Sequence, residues 1–345
     1  MTGRGELGSR KAAWTLIVLA PVSAEVTFSG VTMPAMWLLL PVLVVMYGAG
    51  VLFLRELVVR HRGGWPSLLA VGLAYELVED GIGLQALTSP NLYHAAEWGP
   101  RVLGFNTTYW QSQIGYHTVF SVLVPVLLAD LLFPRHRGRP YLRRGGLVTA
   151  GVAALVGVAL LRVGIAATED PGYQAPLPVV AGVVAAVAML IYLALKVLPS
   201  WTPAPPRFVN LPRPATVAVT AGAAAAGFLA LLMPAGLPPD GPAIGTGSWV
   251  FLPMALAAAL ALGAGWLVYR WSAAPRWSDT YRIWLVGGAL IGRTLFVVVT
   301  APAANDYQWK PAGIAIAVGT LMIVAMAYLL TLLADRARYV CAASS

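Results

Sequence analysis

Charge is scarce in this chain of 345 residues: Asp, Glu, Lys and Arg together make up 11% of it. Soluble domains carry about 25% charged residues, so this sequence cannot cover a water-facing surface. Cysteine is scarcer still, and the single Cys341 excludes an internal disulfide and a cysteine-rich metal site. The chain also lacks a Gly-rich phosphate loop, a Ser-centred nucleophile elbow and a His-Glu-x-x-His motif. Those absences remove ATP-driven work from the candidate functions. No repeat relates the two halves.

What the chain has instead is apolar surface. Hydrophobic residues make up 59%, gathered in blocks of about twenty residues, the length that crosses roughly 30 Å of hydrocarbon. The formal charge of +9 then points to cationic loops beside anionic lipid, not to nucleic acid. The expected partner is a lipid bilayer, with a lipid, peptide or small-molecule substrate left open. Arginine outnumbers lysine twenty to three, and alanine and glycine are abundant. That bias suggests a GC-rich bacterial genome and hence a multi-pass protein of the bacterial inner (plasma) membrane.

The fold expected is all-α, a polytopic transmembrane helical bundle of about ten spans. The first six run over Ala12–Ala24, Trp37–Val59, Pro66–Leu87, Ile114–Phe133, Gly146–Ala166 and Leu177–Leu198. The last four run over Ala215–Ala235, Trp249–Trp271, Tyr281–Thr300 and Gly313–Leu333. Linkers rich in Pro, Gly and charge separate them, none long enough for a soluble domain. Residues 1–345 thus form a single integral membrane domain, with a polar half (1–145) and a mostly apolar scaffold half (146–345).

Arginine placement gives the orientation. Arg4, Arg10 and Lys11 fall on one side, with Arg60 and Arg62, the run Arg135–Arg144, then Lys196, Arg207 and Arg213. Arg270, Arg276, Arg282, Arg336 and Arg338 continue the same side. The opposite loops hold Glu97 with Arg101, Glu169 with Asp170, Asp240, and Asp306 with Lys310. Both termini are therefore expected in the cytoplasm. The first span is short, and Val22-Ser23-Ala24-Glu25 resembles a signal-peptidase site. Pro21 and the polar stretch that follows read equally as a broken helix, and the uncleaved form is preferred.

Ionisable groups at membrane depth are expensive and tend to mark function. They concentrate in the third span, where Glu76, Glu79 and Asp80 stand at i, i+3 and i+4 and share one face of an α-helix. Gly72 and Gly83 extend that face and allow close approach. Three carboxylates within about 6 Å in low dielectric cannot all stay ionised, so protons or cations must neutralise them. Depth matching offers Arg293 level with Glu76, and Arg162 and His117 level with Glu79 and Asp80. Glu25 also lies on the outer side. Arg55, Glu56 and Asp130 fall near the cytoplasmic ends of their spans and read as interfacial anchors.

An adjacent acidic pair in one membrane helix, then a histidine in the next, resembles the CAAX-protease and bacteriocin-processing membrane family. Glu79-Asp80 stands for the family's acidic pair and His117 for its second-motif histidine. The position four after Asp80 is Leu84 where the family has arginine, and the position four before His117 is Gln113 where it has phenylalanine. No later histidine follows except His136, in a basic loop. The resemblance implies a membrane-embedded protease, and covers about sixty residues.

The Thr88–Gln113 segment is too long for a minimal helix connection and is crowded with Tyr93, His94, Trp98, Phe105, Tyr109 and Trp110. It reads either as part of the interfacial aromatic belt or as a lid that binds substrate over the carboxylates.

Three functions fit. The first is a membrane-embedded hydrolase with catalytic Glu76, Glu79, Asp80 and His117, oriented by Arg162 or Arg293. In its metal-dependent form Glu79, Asp80 and His117 hold a divalent ion. The second is a proton-coupled transporter or permease that uses the same carboxylates. The third is a structural membrane protein locked by a buried salt-bridge network.

Overall fold

Inside hydrocarbon every backbone N–H and C=O must be satisfied within its own segment, and the long apolar runs solve this by becoming helices. A computed structural model describes residues 2–200, 210–233 and 247–342. Among them there is no strand, and ten long helical stretches follow one another. The first, α1, is Thr2–Pro21 continued by a π-helical turn at Val22–Val26. Helix α2 is Leu40–Arg60, α3 is Trp65–Glu76 continued by the π segment Leu77–Gly83, and α4 is Thr107–Leu132. Next come α5 (Arg144–Glu169), α6 (Leu177–Ser200), α7 (Pro214–Leu232) and α8 (Gly247–Ser272). Helices α9 (Asp279–Ala304) and α10 (Trp309–Ala342) complete the series.

Eight of these are long and apolar enough to cross a membrane. The exceptions are α1, with Arg10, Lys11 and Glu25, and α3, with Glu76, Glu79 and Asp80. Charge, not length, sets the two apart.

The chain divides into two compact units. One comprises Met1–Glu25 with Ala35–Thr202, the other Val26–Pro34 with Pro203–Ser345. The unit that holds the acidic cluster thus extends past residue 145 and takes in α5 and α6. Its core is built from Leu16 of α1, Val51 of α2, Val71 of α3, and Val122 and Val126 of α4. In the second unit Val31 packs with Val297, Ala301 and Ala315.

Among the described residues six π-helical turns occur, at Val22–Val26, Val44–Gly48, Leu77–Gly83, His117–Leu123, Leu161–Ala166 and Leu193–Val197. Glu25, Tyr47, Glu79, Asp80, His117 and Arg162 all sit on them. Such turns widen the helix and rotate the side chains that follow, and they recur at functional sites.

Two expectations change locally. The fourth helix begins at Thr107, so Tyr109 and Trp110 stand on its first turns, not in a loop. Asn106 anchors that start: its backbone N–H donates to the Leu87 carbonyl (2.8 Å), and its amide donates to Ala86 and Ser89 (both 2.8 Å). The polar run Thr-Thr-Tyr-Trp-Gln-Ser-Gln hides the helix because it carries no apolar period. Arg55 and Glu56 point into the protein and not outward. They are 1% and 0% exposed, in an ion pair of 3.2 Å.

Candidate functional site

Glu76, Glu79 and Asp80 are buried at 0%, 3% and 1% exposure, and His117 at 5%. The π turn that starts at Leu77 prevents the three carboxylates from lining one α-helical face. Each instead meets a different partner. The Trp110 indole N–H donates to Glu76 Oε2 over 3.4 Å, and the Tyr109 hydroxyl to Asp80 Oδ1 over 3.4 Å. Adjacent residues of α4 thus cover two carboxylates of α3. Gly72 makes the approach of these helices possible, since a Cβ there would lie 3.1 Å from Thr118 Cγ2 and 3.4 Å from its Cα.

Glu79 faces the other way. The Tyr47 hydroxyl lies 2.5 Å from Glu79 Oε1 and 2.9 Å from Glu25 Oε1. On its far side Glu79 Oε2 stands 3.3 Å from His117 Nδ1, at ion-pair distance though without hydrogen-bond alignment. The same Nδ1 is 2.9 Å from Ser121 Oγ. Tyr47 and His117 also stack, with ring centroids 6.0 Å apart. Glu25, Tyr47, Glu79, His117 and Ser121 therefore form one polar string drawn from α1, α2, α3 and α4. The turn that carries Glu25 is pinned to α4: Ser23 donates to the Phe120 carbonyl (2.8 Å) and the Tyr116 hydroxyl to that of Ala24.

The divalent-ion expectation does not fit these side chains. Among the described residues no group of three or more His, Cys, Asp or Glu is arranged to hold a metal. Glu79 and His117 approach each other, but Asp80 turns to Tyr109. A groove of about 440 Å³ exists elsewhere, lined by Val45, Val148, Thr149, Val152, Ala153 and Val156. It includes none of the acidic residues.

The remaining sequence candidates divide. Arg162 serves the segment that follows its helix: it donates to the Tyr173 carbonyl and lies near Asp170. Arg293 is fully buried in the second unit, where it donates to Thr27 Oγ1 and stands over the Phe28 ring. Tyr93 is 39% exposed. Trp98 packs edge-on against Tyr109 at 5.3 Å and so backs the residue that covers Asp80.

Two polar groups go beyond the site candidates read from the sequence. Tyr47, central to the string, is a lone tyrosine in an apolar span and carries no local signal. The other group surrounds Arg55, which pairs with Glu56 (3.2 Å) and Asp130 (3.4 Å) and lies 3.4 Å from the centre of the Tyr141 ring. Burial pushes the Tyr141 phenol above its ordinary range, and Arg55 pulls the other way.

No curated protein and no solved structure matches the chain. Residues 15–342 do match the model of an uncharacterized membrane protein family, and the chain belongs to that family.

Proposed function

We propose that the chain is a proton-coupled transporter of a bacterial plasma membrane, with ten spans and both ends in the cytoplasm. The string Glu25–Tyr47–Glu79–His117–Ser121 carries this reading. Every neighbour in it is within 3.3 Å, and every member can accept or release a proton or pass one on. The carboxylates are buried, which suits proton exchange better than access by a peptide and so favours transport over hydrolysis. Hydrolysis also loses its metal-dependent form, because Glu79, Asp80 and His117 do not converge as ligands. The ten-span topology follows if α1 and α3 cross with their charges turned to this string, since ionisable groups at that depth face the protein interior.

The test is proton flux into liposomes that hold the purified protein and a pH-sensitive dye, driven by an imposed potential. Wild-type flux should exceed that of empty liposomes, and Glu79→Gln should lower it at least about tenfold. Equal flux in wild type and Glu79→Gln, or none above empty liposomes, overturns the proposal. A purely structural role predicts that Glu79→Gln loses stability while any flux remains.

A further inference from the structure

The segment Pro134–Arg144 reads Pro-Arg-His-Arg-Gly-Arg-Pro-Tyr-Leu-Arg-Arg: five arginines, one histidine and no acid. A loop of that charge in isolation would spread by self-repulsion. Here buried charges hold its backbone residue by residue. Arg55 donates to the carbonyls of Arg139 (3.1 Å) and His136 (3.4 Å). Glu56 accepts the N–H groups of Tyr141 (2.7 Å) and Leu142 (3.1 Å). Arg60 donates to the Leu142 carbonyl, and Ser9 to that of Tyr141 over 3.0 Å. The acids Glu56 and Asp130 are engaged inside this network.

A buried ion pair is a costly way to stabilise a fold, because desolvation offsets most of the attraction. What it secures here is the shape of the loop, and the loop presents Arg135, Arg139, Arg143 and Arg144 at the surface, all exposed. Arg143 and Arg144 also stand where α5 begins. At the next residue, Gly145, a Cβ would meet nothing within 4 Å, so the backbone there is open. Guanidinium groups match phosphate oxygens in geometry as well as charge.

We propose that this loop is a docking surface for the headgroup of an anionic phospholipid in the adjacent leaflet. The buried Arg55–Glu56–Asp130 network acts as its scaffold. The surplus of positive charge on an ordered loop beside the ends of membrane helices is what such a headgroup complements. This inference is independent of the proton string.

Thermal unfolding of the full-length protein in detergent, supplemented with phosphatidylglycerol or phosphatidylcholine, tests it. Phosphatidylglycerol should raise Tm by about 3 °C more than phosphatidylcholine does. Arg139→Gln/Arg143→Gln/Arg144→Gln should abolish that difference and leave the Tm in detergent alone unchanged. Arg213→Gln/Arg270→Gln/Arg276→Gln removes as much charge from other exposed positions and should keep the difference. Three results overturn the proposal: equal Tm in the two lipids, equal loss in both triple variants, or inorganic phosphate alone reproducing the shift. The last would assign the surface to free phosphate.

Discussion

Tyr47 and Glu79 meet at 2.5 Å through the phenol hydroxyl and one carboxylate oxygen. The same hydroxyl has Glu25 at 2.9 Å on its other side. A phenol carries one hydrogen, so it can donate to only one carboxylate at a time. The second contact is a hydrogen bond only if the other carboxyl brings a proton of its own. Phenylalanine at position 47 removes the bridge. Tyr47→Phe should keep the fold, cost about 1–3 kcal/mol for the carboxylate left without its donor, and cut proton flux at least about tenfold. Infrared difference spectra of the carboxyl region between acid and alkaline conditions give a second measurement. Wild type should show a protonated-carboxyl band that changes in both Tyr47→Phe and Glu79→Gln. An unaltered band in both variants would remove the shared proton from the account.

Arg55 and Glu56 offer a test by double substitution. Each is almost fully buried, and removing one strips the other of its closest partner, leaving Arg55 only Asp130 and Glu56 only Arg60. Glu56→Gln should therefore destabilise by about 3–5 kcal/mol, and it weakens the acceptor for the Tyr141 and Leu142 amides. Arg55→Met should cost a similar amount. The double variant should cost clearly less than the sum of the two, because neither buried charge is then left beside a vacated partner. Strict additivity in thermal or denaturant unfolding would show that the pair is not coupled.

Part of this architecture was readable in the residues. Most of the helical length follows from apolar runs, and eight of the ten stretches are apolar enough to span. The mutual approach of Glu79 and His117 was readable from depth. What composition and spacing hid was rotation. A π turn at Leu77 breaks the i, i+3, i+4 relation of Glu76, Glu79 and Asp80, and no residue type announces it. Tyr47 escaped for the complementary reason: its partners lie on α1 and α3, and a single sequence does not carry pairings between helices. Arg55-Glu56 looked interfacial because it lies near a helix end. The loop that buries it folds back over it, and nothing local predicts that return.

Asp170 ties the segment after α5 to the one after α3 and gives a pH prediction. Ser89 donates to its Oδ2 (2.5 Å) and Asn91 to its Oδ1 (2.9 Å). The Ser89 hydrogen bond is the first reason its carboxyl sits below the ordinary 3.8; desolvation opposes it, and Asn91 and Arg162 reinforce it. The folded state therefore holds the charged form to lower pH than the unfolded chain does. The stability this group contributes is complete above pH 3.8 and is lost as pH falls through the lower folded-state value. The Tm difference between wild type and Asp170→Asn should be flat near neutrality and shrink in strong acid. Ser89→Ala should move that loss to higher pH. A difference that stays constant into strong acid would contradict the assignment.

Helices α7 and α9 come together so closely that side chains are excluded from the contact. A Cβ on Gly222 would lie 2.9 Å from the Gly288 carbonyl oxygen, while one on Gly288 would run into the Ala218 backbone and one on Gly292 into that of Gly222. The small residues at 218, 222, 288 and 292 repeat at four-residue spacing, which lets two helix backbones touch in a membrane. Because the obstacles are backbone atoms, no rotamer change relieves the clash and the helices must separate. Gly288→Ala should cost about 1–3 kcal/mol, despite the higher helix propensity of alanine. Gly263 of α8 is the control: a Cβ there meets nothing within 4 Å, so Gly263→Ala should be neutral or stabilise by up to about 1 kcal/mol. Thermal unfolding of the two purified variants side by side decides the matter, and equal stability would mean that α7 and α9 are not in backbone contact.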